Sequence, residues 1–152
     1  MSSRATDLRF FTAELLRLAR LYRREVDRRI AEHGLSEARA IPVLHIARSG
    51  GMRQGALAEE LGMEGPSLVR LLDQLCLAGL VERRDDPTDR RAKTLHVTDA
   101  GRDLAAKLER LLEDVRANLL GGVSDADLAA TVRTFSALKA AVETTPPRLR
   151  GG

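Results

Sequence analysis

Residues Glu64 to Thr98 read EGPSLVRLLDQLCLAGLVERRDDPTDRRAKTLHVT: a helix, a short strand, a basic loop and a second strand. Leu68, Leu71, Leu72 and Leu75 fall at i, i+3, i+4 and i+7, which puts them on one face of a helix. Ser67, Arg70 and Gln74 share another face, and all three can hydrogen-bond outward. Pro66 suits the first turn, where its missing N–H is not needed. Gly79 is expected to end the helix as a left-handed cap, with Leu80 folding back on the last turn. A strand follows over Leu80–Arg84, and the alternation of Thr94-Leu95-His96-Val97-Thr98 marks its partner. Between them DDPTDRRAK is a polar loop nucleated by Pro87, with Arg90, Arg91 and Lys93 at its end.

The stretch just before completes a unit. Ala56–Leu61 is expected to be helical and Gly62 to stop it, so Gly62-Met63-Glu64-Gly65 joins two helices. That is a helix-turn-helix, whose second helix has the shape to lie in a DNA major groove. The hairpin beside it is then a wing. The run LAEELGMEGPSLVRLLDQLCLAGLVERRDDPTDRRAKTLHVTDAG resembles the winged helix-turn-helix of the MarR family of bacterial regulators. It most resembles the SlyA-like branch, through PSLVRLLDQL followed by DRRAK, and the helix order of nearly the whole chain agrees. The fold implied is mainly α with a small β-hairpin: a winged helix-turn-helix at 35–98, dimerisation helices at 1–34 and 99–145, and a disordered tail at 146–152.

The length of 152 residues suits one domain, or one domain with an added oligomerisation element. Hydrophobic residues make up 43% but aromatics only 3%, with no Trp, so Leu and Ala must build a helical core. A formal charge of +3 permits nucleic-acid binding without requiring it, and local placement must decide. The single cysteine, Cys76, excludes an internal disulfide and suits a reducing cytoplasm. No apolar run approaches the roughly 20 residues of a membrane span, and the N-terminus lacks the apolar core of a signal peptide. A soluble cytoplasmic protein is expected.

The first helix is expected from about Thr6, as N-cap, to about His33, with Gly34 ending it. Leu8, Phe11, Leu15, Leu18, Tyr22, Val26 and Ile30 form its apolar stripe, and arginines balanced by acids cover much of the rest. Ser36 should cap a second helix that Pro42 kinks or loosens, and Gly50-Gly51 close it. After the wing, Thr98-Asp99 starts a fifth helix with Leu104, Leu108, Leu111, Val115 and Leu119 along one side and Leu112 widening the stripe. Ser124-Asp125-Ala126-Asp127 resembles a capping box for a last helix, with Leu128, Val132, Phe135, Leu138 and Val142 on one face. The terminal helices carry more apolar surface than a small winged helix can cover. A second copy, related by a twofold axis, is the natural cover.

Arg90 is the first candidate contact, because a guanidinium at a hairpin tip can enter a minor groove. Arg91 has two roles open to it: touching phosphate, or pairing with Asp85, Asp86 or Asp89 to shape the loop. On the helix, Arg70 can make a bidentate contact with guanine, against the alternative of a salt bridge to Asp73 or Asp89. Ser67 can reach a base or phosphate, and Gln74 lies further from the end that enters the groove. Pro66 resembles a family contact position, offering apolar contact to a thymine methyl. Cys76 flanks the leucine face and reads as a packing residue. Some relatives use a redox cysteine near the start of their first helix, where this chain has none. The resemblance also implies binding of a small aromatic or phenolic acid between the dimer helices and the winged domain. Arg20, Arg39 and His45 could meet its carboxylate, although Ala40 stands where relatives commonly have an aromatic.

The chain shows no nucleophile–base set, no phosphate-cradling glycine loop and no metal-ligand spacing among His33, His45 and His96. No catalytic residue, metal or cofactor is expected. The reading is a homodimeric repressor of a pseudo-palindromic site on double-stranded DNA. The alternative is a winged-helix protein-interaction module without DNA binding, which arginines in the helix and wing argue against.

Overall fold

Three leucines set the architecture. Leu68, Leu72 and Leu75 of α4 (Gly65–Leu77) are buried, and Leu71 beside them is half-buried. They pack into a core shared with α2 (Glu37–Ser49), α3 (Gln54–Leu61) and two strands, β2 (Val81–Asp85) and β3 (Lys93–Val97). The computed structural model describes residues 3–89 and 91–144. In these, α1 (Arg4–Glu32), β1 (Met52–Arg53), α5 (Asp99–Leu120) and α6 (Asp125–Thr144) complete a set of six helices and three strands. The tail expected at 146–152 lies outside the described residues.

The end of α4 follows from its sequence. Ala78 is the C-cap and Gly79, at φ +68°, takes the left-handed turn that a side chain would disfavour. The N–H of Gly79 donates to the carbonyl of Cys76 at 3.0 Å, and that of Leu80 to Leu75 at 3.0 Å. This paired closure uses Leu80 in the cap, so β2 begins at Val81, one residue later than the periodicity suggests. Thr98 is likewise taken by the next helix: its hydroxyl accepts the Gly101 N–H at 3.1 Å and donates to the Gly79 carbonyl at 2.6 Å. β3 therefore ends at Val97.

One other expectation is corrected. The cap of α1 is Ser3, whose hydroxyl accepts from the Thr6 N–H at 3.3 Å, so the helix starts before Thr6. Ser36 is the N-cap of α2 as expected; its carbonyl accepts from Arg39 and Ala40, and its hydroxyl makes no cap bond. Pro42 lies inside α2, which runs on through it. It is buried between Ile41 and Val43, while Ala38, whose carbonyl loses its usual partner, is exposed to water. Met52-Arg53, which the sequence does not mark as a strand, forms a third one, antiparallel to β3 with Met52 opposite Leu95 and Arg53 opposite Thr94. The sheet order is β1-β3-β2.

The described residues fall into two compact units, one running to Val115 and one starting at Arg116. The core of the first takes Val26 and Ile30 from α1 and Leu108, Leu111, Leu112 and Val115 from α5. The N-terminal part of α1 is different: Leu8, Leu18 and Tyr22 are exposed along its apolar stripe. In the second unit, Ser124 caps α6, accepting from the Asp127 N–H at 3.1 Å. Leu128, Val132, Phe135, Leu138 and Val142 are each between 37% and 67% exposed. No described helix is long and apolar enough to cross a membrane.

Gly101 offers a direct test of the packing at the start of α5. A Cβ placed there would lie 2.1 Å from the Leu80 carbonyl oxygen and 3.1 Å from Val97 Cβ. Backbone cannot yield as a flexible side chain does. Gly101→Ala should lower the free energy of unfolding by about 1–3 kcal/mol, read as a lower urea midpoint at unchanged m.

Candidate nucleic-acid interface

Burying the leucine face of α4 turns its other side outward. Pro66, Ser67, Arg70 and Gln74 are all exposed. Among the described residues, the side chains of Ser67, Arg70 and Gln74 carry no hydrogen bond or ion pair. The salt-bridge alternative for Arg70 is not taken up, because Asp73 is bound by Arg83 of β2, Nη2 to Oδ1 at 2.8 Å. That pair ties α4 to β2 and, among the described residues, leaves Arg70 unengaged. Glu64 occupies the N-cap position of α4 and makes no side-chain cap bond. The first-turn amides therefore have no side-chain acceptor.

The wing is built around one carboxylate. Asp86 is buried, at 7% exposure, and each of its oxygens is used. Oδ1 accepts from the Thr88 N–H at 2.8 Å, the Thr88 hydroxyl at 2.7 Å and the Asp89 N–H at 3.3 Å. Oδ2 accepts from Arg53 Nε at 2.8 Å. The Asp86 N–H donates to the Ala92 carbonyl at 3.1 Å and closes the loop, and the Ala92 N–H donates to the Asp89 carbonyl at 3.0 Å to turn its tip. Asp89 also receives the Arg91 N–H at 3.0 Å.

Of the acids offered as partners for Arg91, none pairs with its side chain among the described residues, and three acids of β2 and the loop take other bases. Asp85 pairs with Lys93, Asp86 with Arg53, and Glu82 with Arg84. The Arg91 side chain is left exposed and, among the described residues, unpaired; only its backbone meets Asp89. Arg90 lies outside the described residues. Sequence reasoning missed Arg53, whose partner is 33 positions away. A two-residue strand has no periodicity that could have drawn attention to it.

The residues proposed for an acid ligand are not brought together by any hydrogen bond or ion pair among the described residues. Arg20 and Arg39 are exposed, and His45 Nδ1 is engaged by Glu60 of α3. Ala40 is buried in the core. Cys76 is half-buried against the same core, as a packing residue should be. No group of three or more His, Cys, Asp or Glu among the described residues could hold a metal ion.

Hydrogen bonds from the Thr88 hydroxyl, from Arg53 and from the Thr88 N–H, in that order, hold the Asp86 carboxyl well below the usual range. A depressed folded value adds stability that is fully present above the ordinary aspartate pKa of about 4, and is lost as pH falls from there toward the folded value. Asp86→Asn should therefore have a lower urea midpoint than the unsubstituted protein at pH 7. The gap should narrow steadily as pH is taken below about 4. An equal gap at pH 7 and pH 2 would mean that the carboxylate charge is not what the loop uses.

A family model described as MarR family matches residues 33–92. The crystal structure of the transcriptional regulator PA3341 is 37% identical in sequence, over 89% of this chain and 99% of that one, with a TM-score of 0.81. A MarR-family regulator from Silicibacter pomeroyi, 22% identical, superposes over 96% of this chain and 99% of its own at a TM-score of 0.76. The transcriptional regulator SlyA, 17% identical, does so over 84% and 93% at 0.70. At those two identities the likeness speaks for the fold alone. With the winged helix-turn-helix in place and the likeness to PA3341 spanning nearly all of that protein, this chain belongs to the MarR family of transcriptional regulators.

Proposed function

We propose that the protein is a homodimeric repressor of the SlyA-like branch, acting in the cytoplasm on a pseudo-palindromic site in double-stranded DNA. The observation that carries this reading is the outward face of α4, where Ser67, Arg70 and Gln74 stand exposed and unengaged beside a wing whose Arg91 is also unengaged. Buried or paired polar groups would be finished structures; among the described residues these are open donors, three on the element shaped for a major groove and one on the wing beside it. Arg70 reads guanine, Ser67 and the first-turn amides of α4 take phosphate, and Pro66 meets a thymine methyl. Arg90 and Arg91 work at the wing, in or beside the minor groove.

The dimer follows from apolar surface. The α6 face and the N-terminal stripe of α1 hold Leu, Val, Phe and Tyr side chains that one chain leaves in water. Burying each fully is worth about 1.5–3 kcal/mol, so a second copy that covers these faces is strongly favoured. A twofold pair then presents two copies of α4 to half-sites about one helical turn apart. Release by a small aromatic or phenolic acid rests on the family resemblance, with Arg20, Arg39 and His45 as the carboxylate-binding set. His45 would have to exchange Glu60 for the ligand.

The test is a binding assay on DNA flanking the protein's own gene, with and without phenolic acids, at two salt concentrations. Affinity should fall tenfold or more, roughly, from low to physiological salt. Arg70→Ala should lose cognate binding preferentially, on the order of 1–3 kcal/mol of discrimination, at unchanged melting temperature. Arg90→Ala should weaken cognate and scrambled duplexes together and flatten the salt slope. If Arg70→Ala lowers the melting temperature by several degrees and keeps specificity, the assignment of the reader is wrong.

Sedimentation checks the dimer. The full chain should run as a dimer, and Val132→Asp combined with Phe135→Asp should yield a folded monomer with much weaker DNA binding, since two linked half-sites no longer act together. A full-length monomer at micromolar concentration would sink this part of the reading.

A further inference from the structure

We propose that Arg53 is a positioning residue for DNA binding, acting through Asp86 to fix the wing tip and so the direction in which Arg91 presents its guanidinium. The proposal rests on the DNA-binding reading above. Arg53 sits on β1 and Asp86 follows the end of β2, with β3 between those two strands. Its side chain therefore reaches past β3 to a loop that β1 does not touch by backbone pairing. The target is the one buried charged or polar residue among those described.

The connections run in series from this bond. Arg53 holds Oδ2; Oδ1 of the same carboxylate organises the Thr88 and Asp89 amides; Asp89 then holds the Arg91 N–H and, through its carbonyl, the Ala92 N–H. Each link fixes backbone, not merely side chain, up to the residue that carries an unpaired charge. Burying a carboxylate is a poor route to stability, because apolar packing of equal volume commonly serves as well. What a fully bonded carboxylate supplies is one conformation for a short loop whose apolar residues, Pro87 and Ala92, are not buried.

Two rivals exist: Arg53 could itself touch phosphate, or it could only stabilise the fold. The sign of one substitution separates the first. Asp86→Asn removes a negative charge from a surface meant for a polyanion, which by charge alone tightens binding and frees Arg53 to contact phosphate. A positioning role requires the opposite.

The experiment uses the full-length protein and a fluorescent duplex from the DNA flanking its own gene, with a scrambled duplex as control. Asp86→Asn and Arg53→Ala should each weaken binding on the order of tenfold, and Arg53→Ala should add little in an Arg91→Ala background. Arg53→Lys, which keeps one charged donor toward Oδ2, should recover part of the loss. The salt dependence of Arg53→Ala should flatten to that of Arg91→Ala, a change that lower stability alone would not produce. Asp86→Asn binding as well as or better than the unsubstituted protein overturns the proposal. So does an Arg53→Ala effect of equal size with and without Arg91, or a lower melting temperature with affinity unchanged. An unsubstituted protein that binds neither duplex overturns the DNA-binding reading itself, and this proposal with it.

Discussion

The rest of the first unit depends on the burial of one face of one helix. With Leu68, Leu72 and Leu75 withdrawn from water, the rotation of α4 about its axis is fixed, and the residues at the complementary angles must face outward. No separate device is needed to display Arg70. Its exposure is the geometric remainder of the leucine packing, and a change of register on α4 would bury the arginine and expose the leucines together. The cap at Gly79 then sets where the chain leaves the helix, and the Asp73–Arg83 pair fixes how the first wing strand lies against it.

Electrostatics in this region work by subtraction. The wing and its neighbourhood carry almost as many acids as bases, and most of the bases are spoken for: Arg83, Arg84, Lys93 and Arg53 each have a carboxylate. What distinguishes Arg70 and Arg91 is that, among the described residues, none was provided for them. Exposed pairs of this kind contribute little to stability. Their service is to decide which cations remain available to a polyanion and where those cations sit.

How far the sequence was legible follows from the range of each signal. The leucine stripe, the glycine cap, the capping sequence before α6 and the two longer strands all lie within a few residues of their cause, and could be read directly. The errors were local too: Leu80 and Thr98 were assigned to strands because their alternation fits, whereas each is held by a helix cap. The two-residue β1 and the Arg53–Asp86 bond could not be read, since their partners are far along the chain and nothing periodic marks them. The same limit applies to the long helices. An amphipathic helix shows that it has an apolar face, not which part of that face meets its own chain, and α1 divides its stripe between a buried end and an exposed one. The polar face of α4 was legible as a face; that Asp73 would prefer Arg83 to Arg70 was not.

The junction around Leu80 and Thr98 has a mechanical consequence. The Leu80 amide is bonded back into α4, while its carbonyl accepts the Thr98 N–H at 3.1 Å and abuts Gly101. The Thr98 hydroxyl joins the α4 cap to the α5 start from the other side. Almost all of this is main chain, without a side-chain cushion that could deform. The end of α4 and the first turn of α5 are in effect a welded corner, and torque applied to either is delivered to the other with little lost in between. A chain arranged this way has no slack at the point where α4 meets the helix that follows. Small rotations of that first turn become rotations of α4.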